Sequence, residues 1–152
     1  MGAQMITLRN FVNSDIGQLQ KDKYAGMPSE TLQALIDTWN QKKFEENYFE
    51  MVAIVENHTL IGEASLYGRS EHMVSCGIEL YPAYRGKGYG TLAYPKLLSL
   101  AKQKGFTIAV AQVRADNFAS IALHKKVGFE TEDYTYKNRK GNPIYYFIKR
   151  LD

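Results

Sequence analysis

The sequence predicts an α/β fold in which a mixed sheet carries helices on its faces. Three observations carry that expectation. Apolar residues repeat at two and then at about 3.6 residues, in the order β-α-α-β-β-β-α-β-α-β-β. Apolar residues make up 45% of the 152 residues and charged ones 23%, the balance of a packed core rather than a disordered chain. No low-complexity run, repeat or Pro/Ser-rich linker interrupts the chain, so residues 1–152 are read as a single domain.

The elements follow in order. Ile6-Thr7-Leu8-Arg9 alternates apolar and polar as a strand does, and Asn13-Ser14-Asp15 offers a helix start. From Ser29, Leu32, Leu35, Ile36 and Trp39 recur at helical spacing, which predicts a second helix to about Lys43. Tyr48 to Val55 is aromatic and β-branched, Glu56-Asn57-His58 is a polar turn, and Leu60 to Tyr67 returns, so the pair reads as a hairpin. Met73 to Tyr81 is a further strand, halted by Pro82. A helix carrying Leu92, Leu97, Leu98 and Ala101 follows, with Gly105 as its left-handed cap; Pro95 should kink it. Phe106 to Val113 is an apolar strand, and Asn117 to Lys126 a short helix capped by Gly128. Two last strands, Phe129 to Tyr136 and Ile144 to Leu151, flank the turn at 138–142.

Between strand and helix lies Arg85-Gly86-Lys87-Gly88-Tyr89-Gly90-Thr91. Glycines at 86, 88 and 90 allow a tight turn and let a ligand approach without meeting a β-carbon. The first amides of the following helix have no internal partners, and with the helix dipole they make an anion site suited to a pyrophosphate. Arg85 and Lys87 add charge to it. A P-loop ends in Gly-Lys-Ser/Thr, where this segment has Gly86-Lys87-Gly88, and the dinucleotide fingerprint Gly-x-Gly-x-x-Gly is also not matched. A glycine turn that only caps the helix is the plain alternative.

Composition excludes several classes. Nineteen Lys plus Arg against sixteen Asp plus Glu leaves +3, too small and scattered to argue for nucleic acid, though it suits an anionic ligand. No apolar run approaches the roughly 18–20 residues that span a bilayer. The start Met1-Gly2-Ala3-Gln4-Met5-Ile6 has no signal-peptide core, and Ile6 stands where a myristoylation signal wants Ser or Thr. The single Cys76 forms no internal disulfide and excludes zinc sites built on paired cysteines. A cytoplasmic, metal-independent protein is expected, with no membrane or nucleic-acid partner.

On these motifs the chain resembles the GCN5-related N-acetyltransferase (GNAT) superfamily. The acetyl-CoA loop of that family reads Arg/Gln-x-x-Gly-x-Gly/Ala, and Arg85, Gly88 and Gly90 fit its fixed positions. A second segment, Asn117 to Phe129, is similar to the family's Asn…Tyr…Lys…Gly-Phe pattern through Asn117, Lys126, Gly128 and Phe129, with His124 where Tyr is usual. The element order is similar across nearly the whole chain. The resemblance implies a GNAT-like acyl-CoA N-acyltransferase fold with a mostly antiparallel mixed sheet, acetyl-CoA as cosubstrate, and a small-molecule or peptide amine as acceptor.

Residue by residue, the resemblance places the pyrophosphate on the amides of Arg85, Gly86, Lys87, Gly88, Tyr89, Gly90 and Thr91. The preceding strand, Ile78 to Tyr81, splays from its neighbour and pairs with the pantetheine arm, with Leu80 and Tyr81 as contacts. Asn117 bonds the pantetheine or phosphate region, and Lys126 completes the set. His124, in the place of the Tyr that protonates the leaving thiolate, is the expected general acid; an imidazolium with pKa about 6.5 is a stronger acid than a phenol at about 10. A packing histidine is the alternative. Glu79 leads as base over Glu71 and His72, although strand alternation could point it away from the acceptor.

Other residues carry less. Cys76 reads as a buried strand thiol rather than an acyl-accepting nucleophile, and Asn57-His58-Thr59 as a turn rather than a glycosylation site. Tyr24, Tyr48 and Phe49 could wall an acceptor pocket, while Trp39 shares the apolar helical face and reads as core. Tyr145, Tyr146 and Phe147 alternate faces, so core and homodimer-surface roles stay open. Two other functions compete: an acyl-CoA-binding regulator of the same fold with little catalysis, and a nucleotide-binding module using the glycine loop for another phosphate ligand.

Overall fold

The computed structural model describes residues 5–152, so the expectation about the first four residues lies outside the described part. The elements are β1 (Ile6–Asn10), α1 (Ile16–Asp22), α2 (Ser29–Trp39), β2 (Lys43–Phe44), β3 (Asn47–Glu56), β4 (Thr59–Gly68), β5 (Met73–Leu80), α3 (Tyr89–Gln103), β6 (Ile108–Arg114), α4 (Phe118–Lys126), β7 (Glu130–Thr131), β8 (Tyr136–Lys137) and β9 (Pro143–Arg150). Single 3-10 turns at Asn13–Asp15 and Pro82–Tyr84 lead into α1 and out of β5.

The sheet runs β1-β3-β4-β5-β6-β9-β7, with β2 paired to β3 and β8 to β9. Every pairing is antiparallel except β5 with β6, which α3 connects as a crossover. The β3–β4 hairpin closes through Asn57 and His58, both with positive φ, the conformation of a two-residue turn that follows the strand twist.

Strand alternation divides the core between the two faces. Val52 and Ile54 of β3 pack with Val74 of β5 and with Ala93, Leu97 and Ala101 of α3. Ala53 and Val55 point the other way, into Leu19 of α1 and Leu32, Ile36 and Trp39 of α2. Trp39 meets Phe11 at a ring-centroid distance of 5.0 Å, so it is core as expected.

Three boundaries differ from expectation. Helix α2 ends at Trp39 rather than Lys43, because Lys42 takes a left-handed φ of 59° and Lys43–Phe44 turns back to pair with Asn47 and Tyr48. The expected strand Phe129–Tyr136 is two short pieces. Thr131 pairs with Phe147 and Tyr136 with Ile144, so four residues face two on β9 and the intervening segment leaves the sheet. Strand β6 starts at Ile108, while Phe106 is buried in the core just ahead of it. Helix α3 continues through Pro95, and Gly105 and Gly128 take the positive φ expected of helix caps. No helix among the described residues is long and apolar enough to cross a membrane.

Candidate active site

The site begins where the parallel pairing stops. Met73, Val74 and Ser75 pair with Ile108, Ala109 and Val110, and there the β5–β6 ladder ends. Beyond it, Cys76 to Leu80 pair only with β4, and Ala111 to Arg114 only with β9. The two strands diverge, leaving backbone groups on the facing edges free to pair with an inserted chain. Gly62 holds β4 tight to the outer half of β5: a β-carbon there would lie 2.4 Å from the Glu79 carbonyl oxygen.

At the end of the gap sits the N-terminus of α3. No side chain caps it and no acidic residue occupies its first turn. Gly86 and Gly88 have φ of 74° and 84°, and their missing β-carbons would face open space. The helix therefore presents unpartnered amides and the positive end of its dipole to an accessible hollow, which fits a pyrophosphate. Arg85 donates from Nε to the Leu80 carbonyl at 2.8 Å, tying the loop to the strand.

Helix α4 forms the opposite wall. The Asn117 Oδ1 accepts from the Ser120 amide at 3.1 Å and caps the helix. That leaves its Nδ2 as the spare donor. The resulting cleft has a volume of about 510 Å³. Of the residues expected from sequence, Glu79, Leu80, Arg85, Gly86, Gly88, Gly90, Thr91 and Asn117 line it. Ile78, at the start of the strand expected to meet the pantetheine arm, lines it too, as do Ala119, Ser120 and Leu123, which the sequence does not single out for the site. The only signal for these three is position, in the first turns of the helix behind the Asn117 cap.

Five expected residues lie elsewhere. Lys87 and Lys126 are exposed outside the lining, where no built wall holds them against a ligand. Tyr89 is buried with the α3 core. Tyr81 is fully buried on the α1–α2 side, its hydroxyl donating to Glu63 Oε1 at 3.1 Å, because alternation after Leu80 turns it away from the cofactor side.

His124, expected as general acid, is 4% exposed and does not line the cleft. Its Nδ1 lies 2.8 Å from the Ser120 carbonyl, and its Nε2 lies 2.8 Å from the Tyr94 hydroxyl. Since a carbonyl only accepts, Nδ1 carries the proton and Nε2 accepts from Tyr94. The ring packs against Tyr94, Phe129 and Phe147. Burial lowers its pKa, outweighing the bond to Ser120. This is a neutral core imidazole that reaches the cleft only through Ser120, so the packing alternative describes it better than the imidazolium acid does.

The other side of the sheet carries a charged cluster that spacing did not reveal. Lys23, at the end of α1, places Nζ 2.9 Å from Glu63 Oε2 and 2.9 Å from Glu79 Oε1, and 5.2 Å from the Tyr24 ring centroid. Partial burial works against its charge, but hydrogen bonds to Glu63 and Glu79 outweigh it and raise the pKa. Glu79 is thus turned away from Ile78 and Leu80, toward the helical side. The side chains of Glu71 and His72 are exposed and approach each other to 3.9 Å, outside the cleft lining. Burial pushes the Cys76 thiol up to about 12, which leaves it protonated and inert at neutral pH.

Comparison with known proteins agrees with this geometry. Residues 6–130 match the family model of the acetyltransferase (GNAT) domain. The chain is 28% identical over 123 residues to a [ribosomal protein bS18]-alanine N-acetyltransferase of Haemophilus influenzae, covering 79% of this chain and 84% of that one. It is 29% identical over 76 residues to an L-methionine sulfoximine/L-methionine sulfone acetyltransferase of Salmonella typhimurium, a match that spans half of this chain and 44% of the relative. The ribosomal L7/L12 alpha-N-protein acetyltransferase solved in complex with coenzyme A superposes with a TM-score of 0.80 at 17% identity, covering 97% of this chain and 94% of that structure. With the diverging strands, the uncapped glycine loop and a domain match over most of its length, the chain belongs to the GNAT acetyltransferase family.

Proposed function

We propose that the protein transfers an acetyl group to the primary amine of a small molecule or polypeptide by direct attack, with Glu79 as base and the cleft residues named above as the cofactor site. Acetyl-CoA is the cosubstrate. One observation carries the reading: the open edge of β5 and the uncapped N-terminus of α3 meet in a single cleft.

When bound, acetyl-CoA supplies a thioester carbonyl open to an amine and a sulfur leaving group. The amides from Gly88 to Thr91 hold its pyrophosphate, and glycine at 86 and 88 keeps side chains out of the way. The free edge of β5 pairs with the pantetheine as an added strand would, and Asn117 Nδ2 adds a donor from the other wall. A backbone N–H on that edge polarises the carbonyl. Glu79, at the end of the same edge, removes the amine proton through water. The Ser120 hydroxyl donates a hydrogen bond as charge develops on sulfur, and water supplies the proton. His124 is a positioning residue that fixes Ser120 through its carbonyl.

The test is an acceptor screen read by thiol release, covering polyamines, aminoglycosides, amino acids and amino-terminal peptides. Acetylation of at least one amine is expected, falling about a hundredfold in Glu79→Gln with acetyl-CoA affinity retained. Tight acetyl-CoA binding with no transfer to any amine would return the protein to the regulator reading.

A further inference from the structure

Beyond the end of the β5–β6 ladder, the exposed face of the sheet carries a hollow of about 660 Å³ that the proposed mechanism does not use. Five cations line it: Arg69, Arg114, Lys137, Arg139 and Lys140. Arg114 has one carboxylate nearby, Asp116 at 3.2 Å, on the surface. Among the described residues, the other four have no carboxylate within ion-pair distance.

The hollow is built, not a chance scatter of long side chains. Arg69 donates from Nε to Ser75 Oγ at 2.7 Å and stacks over the Tyr67 ring at 5.2 Å. Arg139 and Lys140 project from a turn fixed by Asn138, whose Oδ1 accepts from the amides of Lys140 and Asn142 at 3.0 and 2.9 Å. Like charges held together in this way repel one another, and an anion relieves that cost.

Its position relates it to catalysis. Ser75 and Val110 are the last paired residues, and by alternation Glu79 of β5 and Arg114 of β6 share the face of that pair. The hollow and Glu79 therefore flank the same opening. Resting on acetyl transfer to an amine as proposed above, the geometry points to an acceptor polypeptide whose amino group lies at Glu79 and whose following acidic side chains lie in the cationic hollow. One carboxylate needs one arginine; five cations match several carboxylates in series. A polyamine would meet repulsion there. Nucleic acid would satisfy the charge, but its sugar-phosphate chain supplies no aliphatic amine for Glu79 to deprotonate.

The test uses the full chain and peptides that share one amino-terminal residue and differ only in whether Asp, Gln or Lys follows. Fluorescence anisotropy in the presence of coenzyme A reads docking, and thiol release reads transfer. The Asp peptide is expected to bind about tenfold more tightly than the Gln peptide at low salt, with the preference shrinking as NaCl rises. The double variant Arg139→Glu/Lys140→Glu should lose the preference while turnover of the Gln peptide stays unchanged. Docking of the Asp peptide without transfer to any peptide would leave the hollow as an acidic-segment site and overturn the acceptor reading alone. Equal affinity for all three peptides would overturn this inference and leave acetyl transfer standing. So would a preference retained in the double variant, or an RNA oligonucleotide of equal charge that binds more tightly than the Asp peptide.

Discussion

His124 shows why a residue's place in a motif does not fix its chemistry. The pattern that puts it where a proton donor is usual is a pattern of chain positions, while its environment is set by Phe129 and Phe147, distant in function and apolar. Burial holds the ring neutral, with a pKa below the ordinary value. Above about pH 6.5 neither the folded nor the unfolded chain protonates this ring, and its full contribution to stability is present. As pH falls below that, the unfolded chain takes up a proton that the folded one refuses, and stability declines by about 1.4 kcal/mol per pH unit until the folded pKa is reached. Urea denaturation of His124→Gln should therefore show a flatter stability profile between neutral and mildly acid pH than the native chain. His58 and His72 are common to both proteins and cancel. Should the variant fail to fold, ring 15N shifts of the native protein serve instead, with a neutral Nδ1–H tautomer expected at neutral pH and protonation at lower pH than in the unfolded chain. An imidazolium at neutral pH would return His124 to the role of acid. The loop glycines were legible because their signal is local. Lys23 was not, since its partners Glu63 and Glu79 lie 40 and 56 residues away and only the fold brings them together.

At the scale of elements, α3 sets up a controlled comparison between its two ends. Gly88 precedes its first residue with φ of 84°, and Gly105 follows its last turn with φ of 98°. A β-carbon at either would meet nothing within 4 Å, so the substitution to Ala acts through backbone strain alone. Each should cost about 1–2 kcal/mol of stability. Only Gly88→Ala should also weaken coenzyme A binding, because only that end presents free amides to the cleft. Calorimetry with coenzyme A on both variants checks this; equal affinity losses would mean that the helix N-terminus is not the phosphate site. Most elements were readable because burial and period agree: β1 alternates, and the β3–β4 hairpin is bracketed by its polar turn. The failures have one cause. Past Trp39, and between Thr131 and Tyr136, the residues still look helical or strand-like, and pairing partners elsewhere decide the ending.

For the molecule as a whole, the sheet separates two cores, and the face that bears Glu79 depends on how the α1–α2 layer is held to it. Leu19, Leu32 and Ile36 supply the apolar contact. Lys23 supplies the polar one, reaching from the end of α1 to β4 and β5 at once. Its partners are unequal: the Glu63 side chain is 7% exposed and that of Glu79 is 42%. Loss of the ammonium would leave a nearly buried carboxylate with the Tyr81 hydroxyl as its remaining hydrogen-bond partner. Lys23→Met is accordingly expected to cost about 2–3 kcal/mol, reduced from the fully buried case because Lys23 itself is partly solvated. Glu79→Gln, which breaks only the partly exposed pairs of Glu79 with Lys23 and, at 3.9 Å, with Arg85, should cost less than about 1 kcal/mol. The double variant Lys23→Met/Glu63→Gln should recover much of the single loss, since the uncompensated charge is then gone. Urea denaturation of the native chain, the single variants Lys23→Met, Glu79→Gln and Glu63→Gln, and the double variant reads these terms. Strict additivity of Lys23→Met and Glu63→Gln would mean that the ion pair does not couple the helical layer to the sheet, and that apolar contacts alone hold that layer in place.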